Sequence, residues 1–185
     1  MGKVSFGWNP QARRHAAAGC VLAAVLAAGG AAAGQMVTPI AKLDADRFIA
    51  PWYEITRLPV KKEKRCLTDQ VVLYALGDKK NSFQRVTSCK IKGDNSDSWN
   101  ATGKLDESGG GGLKVRTIWP FSRPYWVLAA GPAYEWLLVG TPNRKSLWVL
   151  SKTPDMAPDV IASIVAKASA EGFNTAKLVA IPQHP

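Results

Sequence analysis

Histidine and cysteine are scarce in this chain of 185 residues, which contains two histidines and three cysteines. His15 lies in an N-terminal stretch that we expect to be removed, and His184 is next to the last residue. The remainder therefore has a single histidine, at its end, which argues against Ser-His-Asp catalysis, histidine-ligated haem and a histidine-based metal site. The cysteines lack Cys-x-x-Cys spacing, which argues against a redox-active pair. We expect no catalytic residues, no metal and no cofactor.

A long hydrophobic run is also missing. The apolar stretch at 16–28 is too short to span a bilayer comfortably. It follows a basic stretch that ends in Arg13 and Arg14, and small residues follow it at 29–33, which is the order of a secretory signal peptide. We expect cleavage after Ala33. The chain then divides into a signal peptide (1–33), an extended leader (34–43) and one domain (44–185).

Two details of the signal leave alternatives open. Ala18, Gly19 and Cys20 resemble the end of a lipoprotein signal, but the apolar run follows Cys20 instead of preceding it. We therefore expect Cys20 to be removed rather than lipidated. Arg13 and Arg14 are typical of twin-arginine export, although the residues after the pair match that signal weakly. Both export routes end in an oxidising compartment.

Acidic residues are outnumbered, because 14 Asp and Glu face 24 Lys and Arg, a formal net charge of +10. Loss of the signal peptide lowers this charge to +7. Such an excess suits an anionic membrane surface, an acidic ligand or nucleic acid. The densest basic cluster, at 61–65, is interrupted by Glu63 and lacks the interleaved aromatics of a nucleic-acid-binding module. We expect no nucleic-acid partner and leave association with a membrane surface open.

Eight short stretches of β-type residues make up most of the domain. Turn-forming residues separate them at intervals of roughly 10 to 15 residues. In several of them, such as 113–117, residues of two kinds alternate, as the two faces of a strand require. This pattern predicts an all-β barrel or sandwich with antiparallel strands. The predicted strands are 52–58, 69–76, 82–91, 98–105, 113–119, 125–130, 136–141 and 147–152.

Three further elements flank these strands. A helical turn at 44–49 is predicted with Asp44 as its N-cap. A helix at 157–171 has its apolar residues on one stripe; it begins at Asp155 or Pro158 and ends at Gly172. Because one stripe needs one packing partner, we expect this helix on the outside of the barrel. A short last strand is predicted at 176–181.

Cys66 and Cys89 remain once the signal is removed, and they flank two neighbouring predicted strands. The turn-forming residues at 77–81 predict a hairpin in which residue numbers summing to about 155 face each other. Cys66 and Cys89 satisfy that sum. In an exported chain this arrangement predicts a disulfide between them.

Three blocks of sequence resemble those of one family. Residues 50–59 (Ala-Pro-Trp-Tyr-Glu-Ile-Thr-Arg-Leu-Pro) are similar to the opening block of the lipocalins. Residues 119–121 (Trp-Pro-Phe) with 125–128 (Tyr-Trp-Val-Leu) resemble a second block. Tyr134, 138–142 and 147–154 resemble the closing block. The chain thus resembles the lipocalins, and especially bacterial lipocalins related to apolipoprotein D.

The resemblance implies an eight-stranded antiparallel up-and-down barrel with one C-terminal helix outside and a short final strand. It also implies a place in the cell envelope, either periplasmic or associated with the outer membrane. In the family an arginine lies over the buried tryptophan of the first strand; here Trp52 is that tryptophan and Lys152 replaces the arginine. Lysine keeps a cation–π contact but loses the planar fork of donors. We expect Trp52 and Lys152 to close the barrel floor somewhat less tightly. Ala50 replaces a family glycine.

The implied function is binding and storage or transport of a hydrophobic or amphiphilic ligand, such as a fatty acid or lysophospholipid. A barrel of eight strands has room inside for one small ligand. Residues 148 and 150 share the strand face of Lys152, which points them inward. Basic side chains at 61–65 or at Arg123 are candidates to pair with an anionic headgroup. The candidate ligand contacts are Trp148, Leu150, Tyr74, Trp99 and Tyr125.

Two other functions stay open at this point. An enzyme of the same fold, acting on a lipid-like substrate, would need acid–base groups inside the barrel, for which Glu54 and Glu135 are the candidates. We expect both carboxylates on the surface instead. A non-catalytic interaction module of the envelope is the other alternative. The sequence is compatible with a monomer or a homodimer.

Overall fold

The computed structural model describes residues 36–93, 95–118 and 120–184. The proposed signal peptide, with Arg13, Arg14 and Cys20, lies outside these residues, as does Trp119 of the second sequence block. The described part of the leader has no regular secondary structure, and its buried Val37 packs on the outside of the barrel. The amide of Ile40 donates to the carbonyl of Val127 (2.9 Å), so the leader is joined to the barrel wall.

Eight antiparallel strands close into a barrel, as predicted. Each strand pairs with its neighbours in sequence, and β1 pairs with both β8 and β2, which completes the ring. A ninth strand pairs with β1 alone. The strands are β1 (Pro51–Arg57), β2 (Thr68–Leu76), β3 (Ser82–Lys90), β4 (Ser96–Lys104), β5 (Gly112–Ile118), β6 (Phe121–Ala130), β7 (Trp136–Gly140), β8 (Leu147–Ser151) and β9 (Val179–Ala180).

Two strands begin more than two residues away from their predicted starts, and the other bounds differ by at most two residues. β6 begins at Phe121 rather than at Tyr125, because β5 and β6 are joined by a tight turn in which Ile118 already pairs with Phe121. The last strand covers only Val179–Ala180 of the expected 176–181, because a 3-10 turn occupies Thr175–Lys177.

The barrel has an inner and an outer hydrophobic core. The outer core forms where α2 (Pro158–Ala170) packs its buried Ile164 and Ala168 against the wall, which confirms the predicted position of this helix. Pro158 occupies the first turn, where its missing N–H costs no hydrogen bond. Gly172 ends the helix with a φ of +80°, a conformation that glycine adopts without strain.

One end of the barrel is closed by α1 (Ala45–Phe48) and by Trp52. The side chain of Asp44 accepts a hydrogen bond from the amide of Arg47 (3.1 Å), so Asp44 caps α1 as predicted. Trp52 is fully buried, and its indole N–H donates to the carbonyl of Phe48 (3.0 Å). The ammonium of Lys152 lies 3.8 Å from the centroid of the Trp52 ring. Tryptophan and lysine therefore meet at this end.

A disulfide joins Cys66 to Cys89, whose Cα atoms are 5.5 Å apart. The pairing is as predicted, but the register on which it was based is wrong. Tyr74 faces Arg85, whereas the predicted register places Tyr74 opposite residue 81. The register shifts by only one position between Thr68 and Val71. Cys66 lies before β2, outside the paired register, and there it reaches Cys89 near the end of β3.

Candidate functional site

A cavity of about 570 Å³ lies at the open end of the barrel. Residues of the loop after β1 and of the loop before β8 form its rim. Aromatic side chains from β4, β6 and β8 form its walls. Lining residues are Val60, Lys62, Glu63, Arg85, Trp99, Val115, Arg123, Pro124, Tyr125, Thr141, Pro142, Asn143, Lys145, Ser146 and Trp148. Both apolar and charged groups therefore face the same space.

Three of the five predicted ligand contacts come together in this cavity. Trp148 and Tyr125 lie in contact with each other, with ring centroids 5.4 Å apart, and Trp99 lies nearer the rim. Leu150 and Tyr74 point into the barrel but belong to the packed core and do not line the cavity. A ligand in the cavity would meet Tyr74 only through Tyr125.

The cavity occupies only the open half of the barrel because the closed half is full. A packed layer of side chains with no measurable exposure lies toward Trp52, and the ring of Phe83 contacts both Phe48 and Tyr74 there. Gly103 leaves the space for this ring, since a methyl group at position 103 would overlap it. The members of this layer are Phe48, Trp52, Phe83, Leu113, Leu137 and Leu150.

A buried network of charged and polar side chains lies between this layer and the rim. Arg57 donates to Glu54 Oε1 (3.0 Å) and to the carbonyl of Glu63 (2.7 Å). Gln70 Nε2 donates to Glu54 Oε2 (2.8 Å), and the Trp148 indole N–H donates to Glu63 Oε2 (3.1 Å). Charges without solvent are stabilised only when they are paired in this way.

The position of Arg57 depends on a β-bulge that could not be predicted from the sequence. The register of β1 against β8 shifts between Glu54 and Thr56, so that Glu54 faces Leu150 and Arg57 faces Trp148, both on the inner side. Simple alternation from Trp52 would have placed residue 57 outside. Arg85, in contrast, follows from alternation on β3, where it shares the inner face with Phe83.

Burial changes the protonation of this network. Burial, with the nearby charge of Glu63, raises the pKa of Glu54 to about 8, although the Arg57 guanidinium acts in the opposite direction. Burial also raises the pKa of Tyr74 and of Tyr125, so both phenols keep their protons. Their hydroxyl oxygens lie 2.5 Å apart. At neutral pH the inner wall therefore presents phenols as well as guanidinium groups.

Glu54 and Glu135, the candidate carboxylate pair, are not brought together inside the barrel. Glu135 is exposed in the turn after β6, where it accepts a hydrogen bond from the amide of Ala133 (2.9 Å). The expected surface position is thus wrong for Glu54, which is fully buried, and right for Glu135. Glu54 does not line the cavity.

The rim of the cavity is basic and partly apolar. The ammonium of Lys62 lies 5.2 Å from the centroid of the Trp99 ring, and Arg123 is exposed on β6. Arg65, from the same basic cluster, is paired with Asp97. At the turn between β5 and β6, Ile118 and Phe121 are more than two-thirds exposed. Apolar side chains beside basic ones are typical of a surface that meets lipid headgroups.

Other kinds of site are not found in the part of the chain that the structure describes. Within 36–93, 95–118 and 120–184, no group of three or more His, Cys, Asp or Glu side chains is placed to hold a metal ion. Of the helices in those ranges, none has the length and apolar character needed to cross a bilayer.

Comparison with known proteins agrees with the geometry. The profile of the lipocalin-like domain matches residues 43–183, the whole barrel with its helix. The chain belongs to the lipocalin family. Its curated relatives include the outer membrane lipoprotein Blc of Escherichia coli K12, to which the lipocalin is 32% identical over 150 residues, covering 80% of this chain and 83% of that protein.

Further relatives extend the comparison beyond one genus. Blc of Citrobacter freundii is 35% identical over 153 residues, covering 80% of this chain and 83% of the relative. Temperature-induced lipocalin-1 of Arabidopsis thaliana is 30% identical over 154 residues, covering 76% of this chain and 80% of the relative. Among solved structures, insecticyanin from the tobacco hornworm superposes with a TM-score of 0.62 at 17% identity. The superposition covers 80% of this chain and 84% of insecticyanin. At that identity the superposition shows the shared fold alone.

Proposed function

We propose that this lipocalin binds a hydrophobic or amphiphilic small molecule in its barrel and stores or transports it in the cell envelope. The cavity of about 570 Å³ carries the proposal. Its volume lies within the range of roughly 300 to 1,000 Å³ that is typical of small-molecule sites. Aromatic and aliphatic walls with a few convergent polar groups suit a molecule with one apolar and one polar part.

A carrier fits the site better than an enzyme does. Glu54, with its raised pKa, has the property expected of an acid–base catalyst. Its oxygens, however, accept hydrogen bonds from Arg57 and Gln70, and it does not line the cavity. A bound molecule would meet aromatic rings, Arg85 and Glu63. Glu63 Oε2 accepts a hydrogen bond from the Trp148 indole and lies 3.4 Å from Arg57 Nε, so this carboxylate is already engaged. These groups suit recognition of a ligand better than proton abstraction.

The proposed place in the envelope has two supports. The bacterial relatives are named outer membrane lipoproteins, and 1–33 of this chain has the order of an export signal. The exposed Ile118 and Phe121, beside the basic rim, would bring the cavity to a lipid surface, from which an apolar ligand could enter without crossing water. Association with a membrane surface is thus part of the proposal.

Fluorescence titration of the full-length protein, purified from its host's envelope fraction, tests binding. Oleate is expected to quench the tryptophan emission, because Trp148 lines the cavity. Trp148→Phe should lose the Trp148 share of this quenching, leaving that of Trp99, and should bind oleate roughly threefold to tenfold more weakly through lost contact area. Trp136→Phe is the matched control, since Trp136 is equally buried but belongs to the outer core. Equal quenching in both variants, or none in the wild type, would contradict the proposal.

A further inference from the structure

Arg85 lies on the inner face of β3, lines the cavity and is only 7% exposed. Within the described residues it makes no hydrogen bond. Its Nε has no partner, and the nearest carboxylate oxygen, on Glu63, is 3.7 Å from Nη2. A guanidinium carries five N–H donors, and donors left unsatisfied in a buried place cost free energy. The buried Nε–H of Arg85 thus has no acceptor among the described residues, and the contact of Nη2 with Glu63 is too long for a hydrogen bond.

The neighbouring tyrosine pair offers one more donor. The hydroxyls of Tyr74 and Tyr125 share one hydrogen bond of 2.5 Å, which uses one of their two protons. Neither hydroxyl makes another hydrogen bond with the residues described. Only Tyr125 lines the cavity, and the Arg85 guanidinium lies 5.1 Å from the centroid of its ring. When Tyr74 donates this bond, the O–H of Tyr125 remains available beside the Arg85 guanidinium.

The charge of the buried network also favours an anion. Arg57 and Arg85 carry two positive charges, while Glu63 lies within 3.4 Å of Arg57 and 3.7 Å of Arg85. Glu54, the other buried carboxyl near them, accepts hydrogen bonds from Arg57 and Gln70, and burial raises its pKa to about 8. Arg57 thus contacts both carboxyls, whereas Arg85 has only Glu63, at 3.7 Å. A bound anion would give Arg85 a partner of its own.

We infer that the floor of the cavity binds a small oxyanion headgroup, a carboxylate or a phosphate monoester, through Arg85 and the Tyr125 hydroxyl. The inference rests on the proposed function and specifies how the ligand is oriented. Arg85, Tyr125 and Trp148 lie directly on the packed layer of the closed half, so a headgroup at Arg85 is at the bottom of the cavity. The apolar tail then runs toward the rim along Val115 and Pro124. The ligand enters head first.

This orientation differs from pairing of the headgroup at the rim. Arg123 is exposed, so water already satisfies its donors, and an ion pair there gains little. Lys62 is placed over Trp99. A hydrogen bond to a charged group is worth more where water is excluded. Arg85 is therefore the stronger anion site of the two.

Paired ligands of the same chain length test the inference in the full-length protein. Oleate and oleyl alcohol have the same tail but differ in headgroup charge. The wild type is expected to bind oleate about 10- to 100-fold more tightly. Arg85→Gln should remove this preference while still binding the alcohol. Arg123→Gln, the control that removes a charge from the rim, should keep it. Oleyl phosphate in place of oleate tells a phosphate site from a carboxylate site.

The outcomes separate the two proposals. If neither oleate nor oleyl alcohol binds to the wild type, the carrier function fails and the headgroup site fails with it. If both bind equally tightly, the carrier function stands and the headgroup site is overturned. A preference for oleate that is lost in Arg123→Gln but kept in Arg85→Gln would place the headgroup at the rim, and this also overturns the inference.

A spectroscopic measurement on the wild type keeps the test valid if Arg85→Gln does not fold. Oleate enriched with carbon-13 at its carboxyl reports the ionisation of the bound headgroup by NMR. An unperturbed aliphatic carboxyl in water has a pKa of about 4.3. Beside a guanidinium and a phenolic donor, the bound carboxyl is expected to stay ionised at least one pH unit below that. A bound carboxyl that titrates at its ordinary pKa would overturn the inference.

Discussion

The closed half and the open half of this barrel are built from the same strands, yet they are filled in different ways. In the closed half, Phe48, Trp52 and Phe83 pack with no measurable exposure. In the open half, a cavity of about 570 Å³ separates the walls, and charged side chains take the place of apolar ones. Inward-facing residues of the same strands supply most of both halves, so the difference comes mainly from side-chain size and polarity. A bulge at β1 and a 3-10 turn add Arg57 and Glu63 to the open half.

This contrast separates two roles within one wall. Packed apolar side chains in the closed half stabilise the fold, because each void there would lose dispersion contacts and buried area. The open half has fewer of those contacts and instead holds polar groups such as Arg85, whose buried Nε has no hydrogen-bond partner among the described residues. A site that binds ligand is expected to contain such unsatisfied groups. Substitutions in the two halves should therefore affect different measurements.

The largest effect is expected from Trp52→Ala in the closed half. The change removes a fully buried indole and its hydrogen bond to Phe48, and it leaves a cavity at the barrel floor. The free energy of unfolding, from urea denaturation, should fall by about 3 to 5 kcal/mol. Trp99→Ala, in the half-buried wall of the open half, should cost roughly 1 kcal/mol or less.

Oleate binding is the second readout of this pair. Where Trp52→Ala remains folded, it should bind oleate nearly as the wild type does, whereas Trp99→Ala should bind more weakly. A similar loss of stability in both variants would show that the two halves do not divide stability and binding in this way.

Glu54 belongs to the buried network between the two halves. The next largest effect, on the pH dependence of stability, is expected from its replacement. Its pKa is about 8 in the folded protein and near 4.5 in the unfolded chain, because burial disfavours the carboxylate. The folded state thus binds the proton more tightly, so this contribution to stability is complete below pH 4.5 and is lost as the pH rises through 8. The loss is on the order of a few kcal/mol. Glu54→Gln should flatten the fall in unfolding free energy over this range.

Glu135→Gln provides the control for that pH profile. Glu135 is also a carboxyl of the barrel domain, but it is exposed, so its replacement should leave the slope unchanged. Urea denaturation of the three proteins at several pH values between 4.5 and 8 measures the difference. Parallel profiles for the wild type and Glu54→Gln would show that Glu54 is already ionised across the range.

Most of the fold could be predicted because its signals are local. Alternating strands, turn residues and the capping residues Asp44, Pro158 and Gly172 act within a few positions of themselves. Closure of the ring needed the family blocks, since no local signal specifies it, whereas the single apolar stripe of α2 predicted its position outside the barrel. The predicted disulfide was correct although the register was not, because Cys66 lies before β2, where the strand pairing no longer fixes its neighbour.

The site could be predicted only in part. The inner aromatics Trp148 and Tyr125 follow from the strand pattern. Arg57 does not, since a bulge reverses the face it occupies. Glu63 reaches the cavity from a 3-10 turn, where alternation says nothing. Alternation along β3 places Arg85 on the inner face, but a charged residue on a strand is ordinarily expected to face solvent. Its burial becomes evident only with the surrounding barrel.

The smallest effect is expected at the floor of the closed half, where Lys152 meets Trp52. Burial lowers the pKa of Lys152, which shows that its ammonium is partly desolvated above the indole. A guanidinium is more weakly hydrated, stacks flat on a ring and has donors left for the carbonyl of Arg47, which Lys152 now contacts at 3.3 Å. Lys152→Arg should therefore raise the free energy of unfolding by about 0.5 to 1 kcal/mol. Lys145→Arg, at the rim, should leave it unchanged. A loss of stability in Lys152→Arg alone would mean that this floor is fitted to the smaller ammonium group, and that the closed half is packed as tightly around its cation as around its aromatic rings.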